Sequence, residues 1–359
     1  MKKIDAVICI GGGKSQLPLI KEVVALKLAL IIIDRNKHSL GFHYADEILQ
    51  LSTFESAPII DELHSLEKKY NFIGIVNRSS GIPVITASEI ASSFSLPSIS
   101  PLMAKTVVNK DLLRVFCKKH NILIPDFQIY EKDDHLFETS LKFPLIAKPS
   151  ISMIGKSGVT LAKTKDGLKS SILDAKKFSL SGTALLESFI EGVDIEIIGF
   201  VKNKMLEIFC MVEEINLVNK SGKVFGRGMK IFDQKSNKVA AKSCVEASKK
   251  IINLFNIDHS PFMGAFRVNE NGAYLIELHL DIGGDLLLEH LLPYSLSCNY
   301  AKLILGYCIN SEHESYNHSA LPSAIIFDKG SNLVTEKGFD FVKANSFNDL
   351  EINIEKILN

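Results

Sequence analysis

The first hundred residues alternate two periodicities, and that alternation restricts the fold more than any other feature of the chain. Residues 6–10 form a short apolar run ending in Gly11-Gly12-Gly13. A helical segment follows at about 16–26, and a second run, 29–33, ends at Asp34. Residues 45–51 fit a third short strand, 58–69 an amphipathic helix and 72–76 a further strand. Such β-α-β alternation predicts a parallel sheet with helices on its faces. The stretch 97–101, with a proline at each end, reads as the loop that closes this unit.

The pattern then changes. A helix is expected over about 105–120, stopped before Pro125. Strands are expected at 143–148 and 159–162, flanking a polar, glycine-bearing loop, followed by a helix at 168–178 and a strand at 184–188. Beyond Gly192 the signals become long strands at 194–201, 205–212, 262–268 and 273–280, with helices near 240–255 and 285–305. A strand at 323–327 and a last helical stretch end the chain, and the sequence assigns them no role. At 359 residues there is enough chain for two or three packed units, placed here at 1–104, 105–192 and 193–359.

Composition removes several classes of function. Lys plus Arg and Asp plus Glu both number 41, so no global field draws the chain to nucleic acid or an anionic membrane. The apolar stretch 17–33 is interrupted by Lys21, Glu22 and Lys27 and is too short to span a bilayer. Residues 1–5 run into a strand without a cleavable signal pattern. The six cysteines are scattered with no CxxC pair, which argues against zinc and disulfides and suits a reducing cytoplasm.

The glycines at 11–13 carry little specificity. With Asp34 ending the next strand they hint at a dinucleotide site, yet the GxGxxG spacing is missing. Gly13-Lys14-Ser15 mimics the end of a P-loop, but the first glycine of that motif would fall at Ile8. A tight turn after a first strand accounts for the pattern. A nicotinamide-dependent dehydrogenase built on this unit is the weakest of the functions considered.

Four motifs in one order carry the chemistry. Asn109-Lys110-Asp111 opens a helix. Phe143-Pro144-Leu145-Ile146-Ala147-Lys148-Pro149 precedes the loop Met153-Ile154-Gly155-Lys156-Ser157-Gly158. Leu185-Leu186-Glu187-Ser188-Phe189-Ile190-Glu191-Gly192-Val193-Asp194 comes third, and Ile276-Glu277-Leu278-His279, ending in Gly283-Gly284-Asp285, fourth. An ammonium on an apolar strand, Lys148, is costly to bury unless a polyanion offsets it. Lys110 adds a second cation, and Gly155 to Gly158 form a loop whose backbone N–H groups suit phosphates. Glu187 is placed to take the adenine amino proton, with the Phe189–Ile190 backbone on the purine edge, and Asp194 to accept ribose hydroxyls. Glu277 and His279 alternate on one strand face, a spacing able to hold a divalent metal. Blander readings stay open for several of these: Lys110 as a solvated lysine, Asp194 as a surface acid, His279 as a core histidine and Arg227, in Gly226-Arg227-Gly228, as part of a solvated loop.

Taken together, the ordered motifs resemble the ATP-grasp superfamily over about residues 4–305, in particular its biotin carboxylase, carbamoyl phosphate synthetase and D-alanine–D-alanine ligase branches. The resemblance implies an α/β and α+β chain: a Rossmann-like N-terminal domain, a small lid and a larger domain, with ATP between the last two. It implies Lys110 and Lys148 on the phosphates, Gly155, Lys156, Ser157 and Gly158 as the mobile phosphate loop, and Glu187, Phe189 and Ile190 as the adenine hinge. It also implies Asp194 on the ribose, Ile146 and Ile276 sandwiching the purine, and Glu277 on Mg²⁺ or Mn²⁺. The implied activity joins a small-molecule carboxylate to an amine through an acyl phosphate. A homodimer is the assembly to test, and neither nucleic acid nor membrane is an expected partner.

The catalytic centre departs from the family pattern. The signature asparagine is His279, the signature arginine is Asp281, and the first metal ligand falls at Ala265. Two accounts follow. In one, His279, Asp281 or Asp285 joins Glu277 in a rebuilt metal site and Arg227, Lys230 or Arg267 supplies the missing cation. In the other, the chain is a degenerate ATP-grasp protein that binds nucleotide as a sensor or scaffold.

Overall fold

The computed structural model describes every residue except Met1, His135, Leu136, Ile154, Asp285, 329–337 and Asn359. The first unit is a parallel sheet of β1 (Ile4–Ile10), β2 (Ala29–Ile33), β3 (Glu47–Leu49) and β4 (Tyr70–Asn77) in the order β3-β2-β1-β4. The uninterrupted apolar runs of β1 and β2 are buried because helices cover both faces of a parallel sheet. Helices α1 (Leu17–Ala25) and α2 (Ser56–Leu66) match the sequence reading. Helix α3 (Ile82–Ser93) was not foreseen. Its buried residues include Thr86 and Ser88 beside Val84 and Ile90, so no apolar stripe marks it.

The glycine loop is filled by the protein itself. Asp34 accepts hydrogen bonds from Gly12 N (2.9 Å) and Ser39 Oγ (2.9 Å), and Gly41 N donates to Gly12 O at 2.7 Å. A Cβ on Gly12 would lie 2.7 Å from Ser39 Oγ. Asp34 is thus spent on pinning the turn, which removes the acid that a dinucleotide ribose needs.

The helix expected at 105–120 is two helices, α4 (Pro101–Val108) and α5 (Lys110–Lys119). Asn109 is extended between them, and its side chain accepts from Asp111 N and Leu112 N (2.9 and 3.3 Å), a standard N-cap. The break aims the first turn of α5 at the next sheet, where Lys110 N donates to Ser150 O at 2.9 Å.

That sheet is antiparallel: β5 (Phe127–Tyr130), β6 (Leu145–Pro149), β7 (Thr160–Ala162) and β8 (Ala184–Ser188) in the order β5-β8-β6-β7, backed by α6 (Leu168–Lys177). The third sheet is larger and orders as β13-β12-β9-β10-β11-β14-β15. Its strands are β9 (Val193–Lys202), β10 (Met205–Val218), β11 (Val224–Ile231), β12 (Ser260–Asn269), β13 (Gly272–His279), β14 (Ser323–Phe327) and β15 (Phe339–Lys343). One face packs Ile195, Ile197, Phe262 and Leu275 with α7 (Lys238–Phe255), α4 and α5. On the other, Ile198, Phe200 and Phe209 meet α8 (Leu292–Ser295), α9 (Tyr300–Cys308) and the first unit's Val7 and Val76.

The helix expected at 285–305 is also interrupted. Leu286 is left-handed (φ 62°), a π-helical turn spans Leu287–Leu291, and α8 ends before Asn299 caps α9. The chain end has a structural role that its sequence does not reveal: β14 pairs with β11, and α10 (Phe347–Leu358) packs on β14 and β15. Among the described residues no helix is long and apolar enough to cross a membrane.

Strand β11 escaped the sequence reading because Gly226-Arg227-Gly228 looks like a loop. Gly228 is required there, since a Cβ would meet Ile325 O at 2.2 Å. Gly228→Ala should therefore part β11 from β14 and cost about 3 kcal/mol, read as a lower urea midpoint. An unchanged midpoint would contradict the close approach.

Candidate functional site

A connected set of charges lines the junction of the small sheet, α5 and β13. Lys148, in the apolar strand β6, is buried, and its Nζ lies 2.7 Å from Glu187 Oε2 on the neighbouring strand β8. The other oxygen of Glu187 accepts from Arg114 Nε. Arg114 follows Lys110 by one helical turn on α5, so both reach the same junction. Its Nη2 donates to Ile276 O at 2.7 Å, whereas Nη1 has no hydrogen-bond partner among the described residues. That carbonyl is available because the β12–β13 register slips: Ala265 pairs with Glu277 but Phe266 with Leu275, leaving Ile276 in a bulge. Lys110 Nζ completes the set, 3.1 Å from Ser152 Oγ and 3.5 Å from Glu277 Oε1. His279 Nε2 lies 3.1 Å from Glu277 Oε2. Lys148 and Glu277, on different sheets, therefore share one site.

Electrostatics bind these groups together. Burial lowers the Lys148 pKa, and the Glu187 carboxylate opposes that shift. For Glu187, burial alone would raise the pKa, but Arg114 and Lys148 outweigh it and hold the carboxyl below its ordinary value. Glu277 follows the same rule, with Lys110, His279 and Lys148 overcoming burial to hold it well below the usual range. His279 is opposed by burial, yet Glu277 and Asp281 push it up to about 9.

The structure gives several of the expected site residues partners within the protein. Glu187 has each oxygen in an ion pair, one with Lys148 and one with Arg114. Asp194 is held by Arg267 Nε and Nη2 (2.5 and 2.7 Å) and by Asn216 Nδ2 (3.0 Å). Phe189 N donates to Pro144 O (3.1 Å), and Ile190 O accepts from Arg267 Nη1 (3.4 Å), which ties the hinge backbone down. The Arg267 guanidinium also stands 5.4 Å from the Phe189 ring centroid. Lys230 pairs with Glu213 (3.2 Å) and, on α10, Glu351 (2.6 Å). Arg227 is buried in β11, four strands from β13, and donates to Phe327 O. Each of the three thus has a partner away from Lys148 and Glu277. Asp281 turns back to accept from Gly283 N (3.0 Å) and lines a small cavity with Phe262 and Tyr300, where burial raises its pKa. Asp285, offered as a metal ligand, and Ile154 of the loop lie outside the described residues.

The phosphate-loop residues lie over the large sheet. Gly155 (φ 42°) and Gly158 (φ 78°) make the turn that carries Lys156 and Ser157. Lys156 Nζ reaches Glu214 Oε1 at 2.5 Å and Asn216 Oδ1 at 2.8 Å on β10. Backbone bonds hold the same edge: Leu161 N to Gly222 O (2.7 Å) and Val224 N to Val159 O (3.1 Å). Ile146 and Ile276 are half-buried on facing elements of the junction.

A divalent ion that accompanies a triphosphate takes one or two carboxylates and finds its other ligands among phosphates and water. Glu277 offers one. Glu196, which the sequence reading missed, pairs across Ala265, itself opposite Glu277, so both acids stand on one face. Among the described residues no group of three or more His, Cys, Asp or Glu could hold a metal. The donor set thus fits an ion brought in by phosphates, not one caged by protein.

The solved structures that resemble this chain include L-amino acid ligase from Bacillus licheniformis (TM-score 0.79, 14% identity, 99% of this chain and 97% of that one). N5-carboxyaminoimidazole synthetase from Staphylococcus aureus, complexed with ADP, matches at TM-score 0.70 and 13% identity over 99% and 97%. Phosphoribosylglycinamide synthetase from Anaerococcus prevotii matches at 0.69 and 17% over 99% and 98%. This chain has the ATP-grasp fold. No protein-family model and no curated protein matches the sequence. The likeness is one of backbone fold.

Glu187→Gln would leave Lys148 and Arg114 buried with no counter-charge, at a cost of about 3–5 kcal/mol near neutral pH. The folded pKa of Glu187 is depressed, so its contribution is present above the unfolded value of about 4.3 and is lost as pH falls through the folded one. Urea unfolding of both proteins should show the gap narrowing on acidification, and a pH-independent gap would refute the assignment.

Proposed function

We propose that this chain is an ATP-dependent carboxylate–amine ligase working through an acyl phosphate, with residues 1–104, 105–192 and 193–359 as its three units. One observation carries the reading. Lys110, Arg114 and Lys148 converge on Glu187 and Glu277, with His279 alongside, so cations from a helix and a strand meet carboxylates at one junction. Cations so gathered suit phosphates, and a carboxylate beside them suits the ion that phosphates bring. The fold shared with an ADP complex and with an L-amino acid ligase points the same way.

In this reading Ile146 and Ile276 wall the adenine, while Lys110 and Lys148 neutralise the phosphates. Arg114 and Glu187 act as positioning residues that hold Lys148. Lys156 leaves Glu214 for the phosphates when nucleotide arrives. A Mg²⁺ or Mn²⁺ ion held by Glu277 and the phosphates would supply further charge neutralisation. A substrate carboxylate oxygen attacks the γ-phosphorus, the bond to the β–γ bridging oxygen breaks, and ADP departs. An amine nitrogen then attacks the acyl carbon, phosphate leaves with the former C–O bonding pair, and the nitrogen gives up a proton as the amide forms. Catalysis comes from positioning and charge neutralisation, with the lid loop excluding water from the acyl phosphate.

The test is phosphate release from ATP with Mg²⁺ or Mn²⁺ across pairs of amino acids, beside titration of a non-hydrolysable ATP analogue. Lys148→Ala should weaken analogue binding at least tenfold and abolish amine-dependent release. Tight binding without release for any pair would favour a nucleotide-holding scaffold. Undiminished affinity in the Lys148→Ala, Glu187→Ala double variant would remove the nucleotide from this junction.

A further inference from the structure

Open parallel sheets receive ligands in the crevice at the carboxyl ends of their strands where strand order reverses. In the first unit that reversal lies between β1 and β4, since β2 and β3 are laid down on one side of β1 and β4 on the other. The β2 side of the glycine loop is closed by Asp34, Ser39 and Gly41, as described above. The β4 side presents a charge.

Arg78, immediately after β4, has a side chain only 2% exposed. Its Nε donates to Gly283 O at 2.9 Å, and Nη1 donates to Ser15 O on the opposite lip, so the guanidinium is fixed from two directions. The outer edge of the fork holds both carboxylate oxygens of Glu289, Nη1 to Oε1 at 2.5 Å and Nη2 to Oε2 at 2.7 Å. Glu289 is 25% exposed and rides on the π-helical turn that follows left-handed Leu286. Single π turns and positive-φ residues with bulky side chains concentrate at functional sites. The fork is thus rigid and buried, while the group that fills it is partly exposed and sits on irregular backbone.

We propose that Arg78 is the receptor for a carboxylate of the substrate, and that Glu289 occupies its fork as an internal stand-in until that carboxylate arrives. The ligand class is a small planar carboxylate, because the occupied geometry is the paired two-oxygen contact that a guanidinium makes with that group. Calling the bound molecule a substrate rests on the ligase reading; the binding itself does not. The same arrangement answers the charge missing at Asp281. Asp281 accepts the Gly283 N–H while Arg78 takes the Gly283 carbonyl, so a guanidinium from the first unit stands beside the segment whose own arginine is absent.

Calorimetric titration of the full chain with succinate, and with neutral succinamide as control, tests this. Glu289→Ala should bind succinate at least tenfold more tightly than wild type, leave succinamide binding unchanged, and lose the gain when Arg78→Gln is added. Glu289→Gln, which keeps the shape of the side chain, reads the same gain if Glu289→Ala does not fold. Absence of a gain in the folded variant, or a gain that survives Arg78→Gln, overturns the proposal. Analogue binding in the same variants keeps the two readings apart. A missing succinate response with Lys148-dependent nucleotide binding intact sinks only this inference, and loss of that dependence sinks only the ligase.

Discussion

Lys148 has to be charged where water is scarce, and the rest of the junction follows from that requirement. A lone ammonium on a buried strand would lose its proton or unfold its surroundings. Glu187, on the adjacent strand, offsets part of that cost with a 2.7 Å contact, and burial still keeps the Lys148 pKa below its ordinary value. Arg114 then balances Glu187, and the bulge at Ile276 gives Arg114 a carbonyl. Small sheet, helix α5 and strand β13 are thereby held in one electrostatic unit, although apolar packing puts the small sheet in one core and α5 with β13 in another.

A second set of contacts joins the small sheet to the large one. Its edge strand β7 is joined to the β10–β11 turn by two backbone hydrogen bonds, and Lys156 reaches across to Glu214 and Asn216. These bonds are few and lie at an edge, unlike the continuous ladders within each sheet. An edge of that kind opens at low cost. The hinge beneath it is stiffer, because Arg267 grips Asp194 with two bonds and Ile190 with a third.

Residues that look like catalytic losses in the sequence have local explanations in three dimensions. Asp281 closes a turn on Gly283. Ala265 is flanked on one face by Glu196 and Glu277, so carboxylates remain on both sides of the vacated position. Arg227, Lys230 and Arg267 each have partners elsewhere, and Arg78, far away in sequence, reaches Gly283 while pairing with Glu289. Side-chain chemistry read position by position could not show this. Partners separated by sixty or two hundred residues leave no spacing signal.

Sequence alone determined the kinds and order of the elements: the alternation of the first unit, the long strands after Gly192, and Lys148 and Glu277 as charges embedded in apolar strands. Those features are local, set by periodicity and by the cost of burying charge, and need no knowledge of neighbours. Only the tertiary structure decided which acid faces which base, where Asn109 and Leu286 interrupt their helices, and that Gly226-Arg227-Gly228 is strand. Each of those outcomes depends on an atom from a distant part of the chain, such as Ile325 O against Gly228 or Glu187 against Lys148. Pairing across a fold is settled by proximity, and proximity is what a linear pattern does not encode.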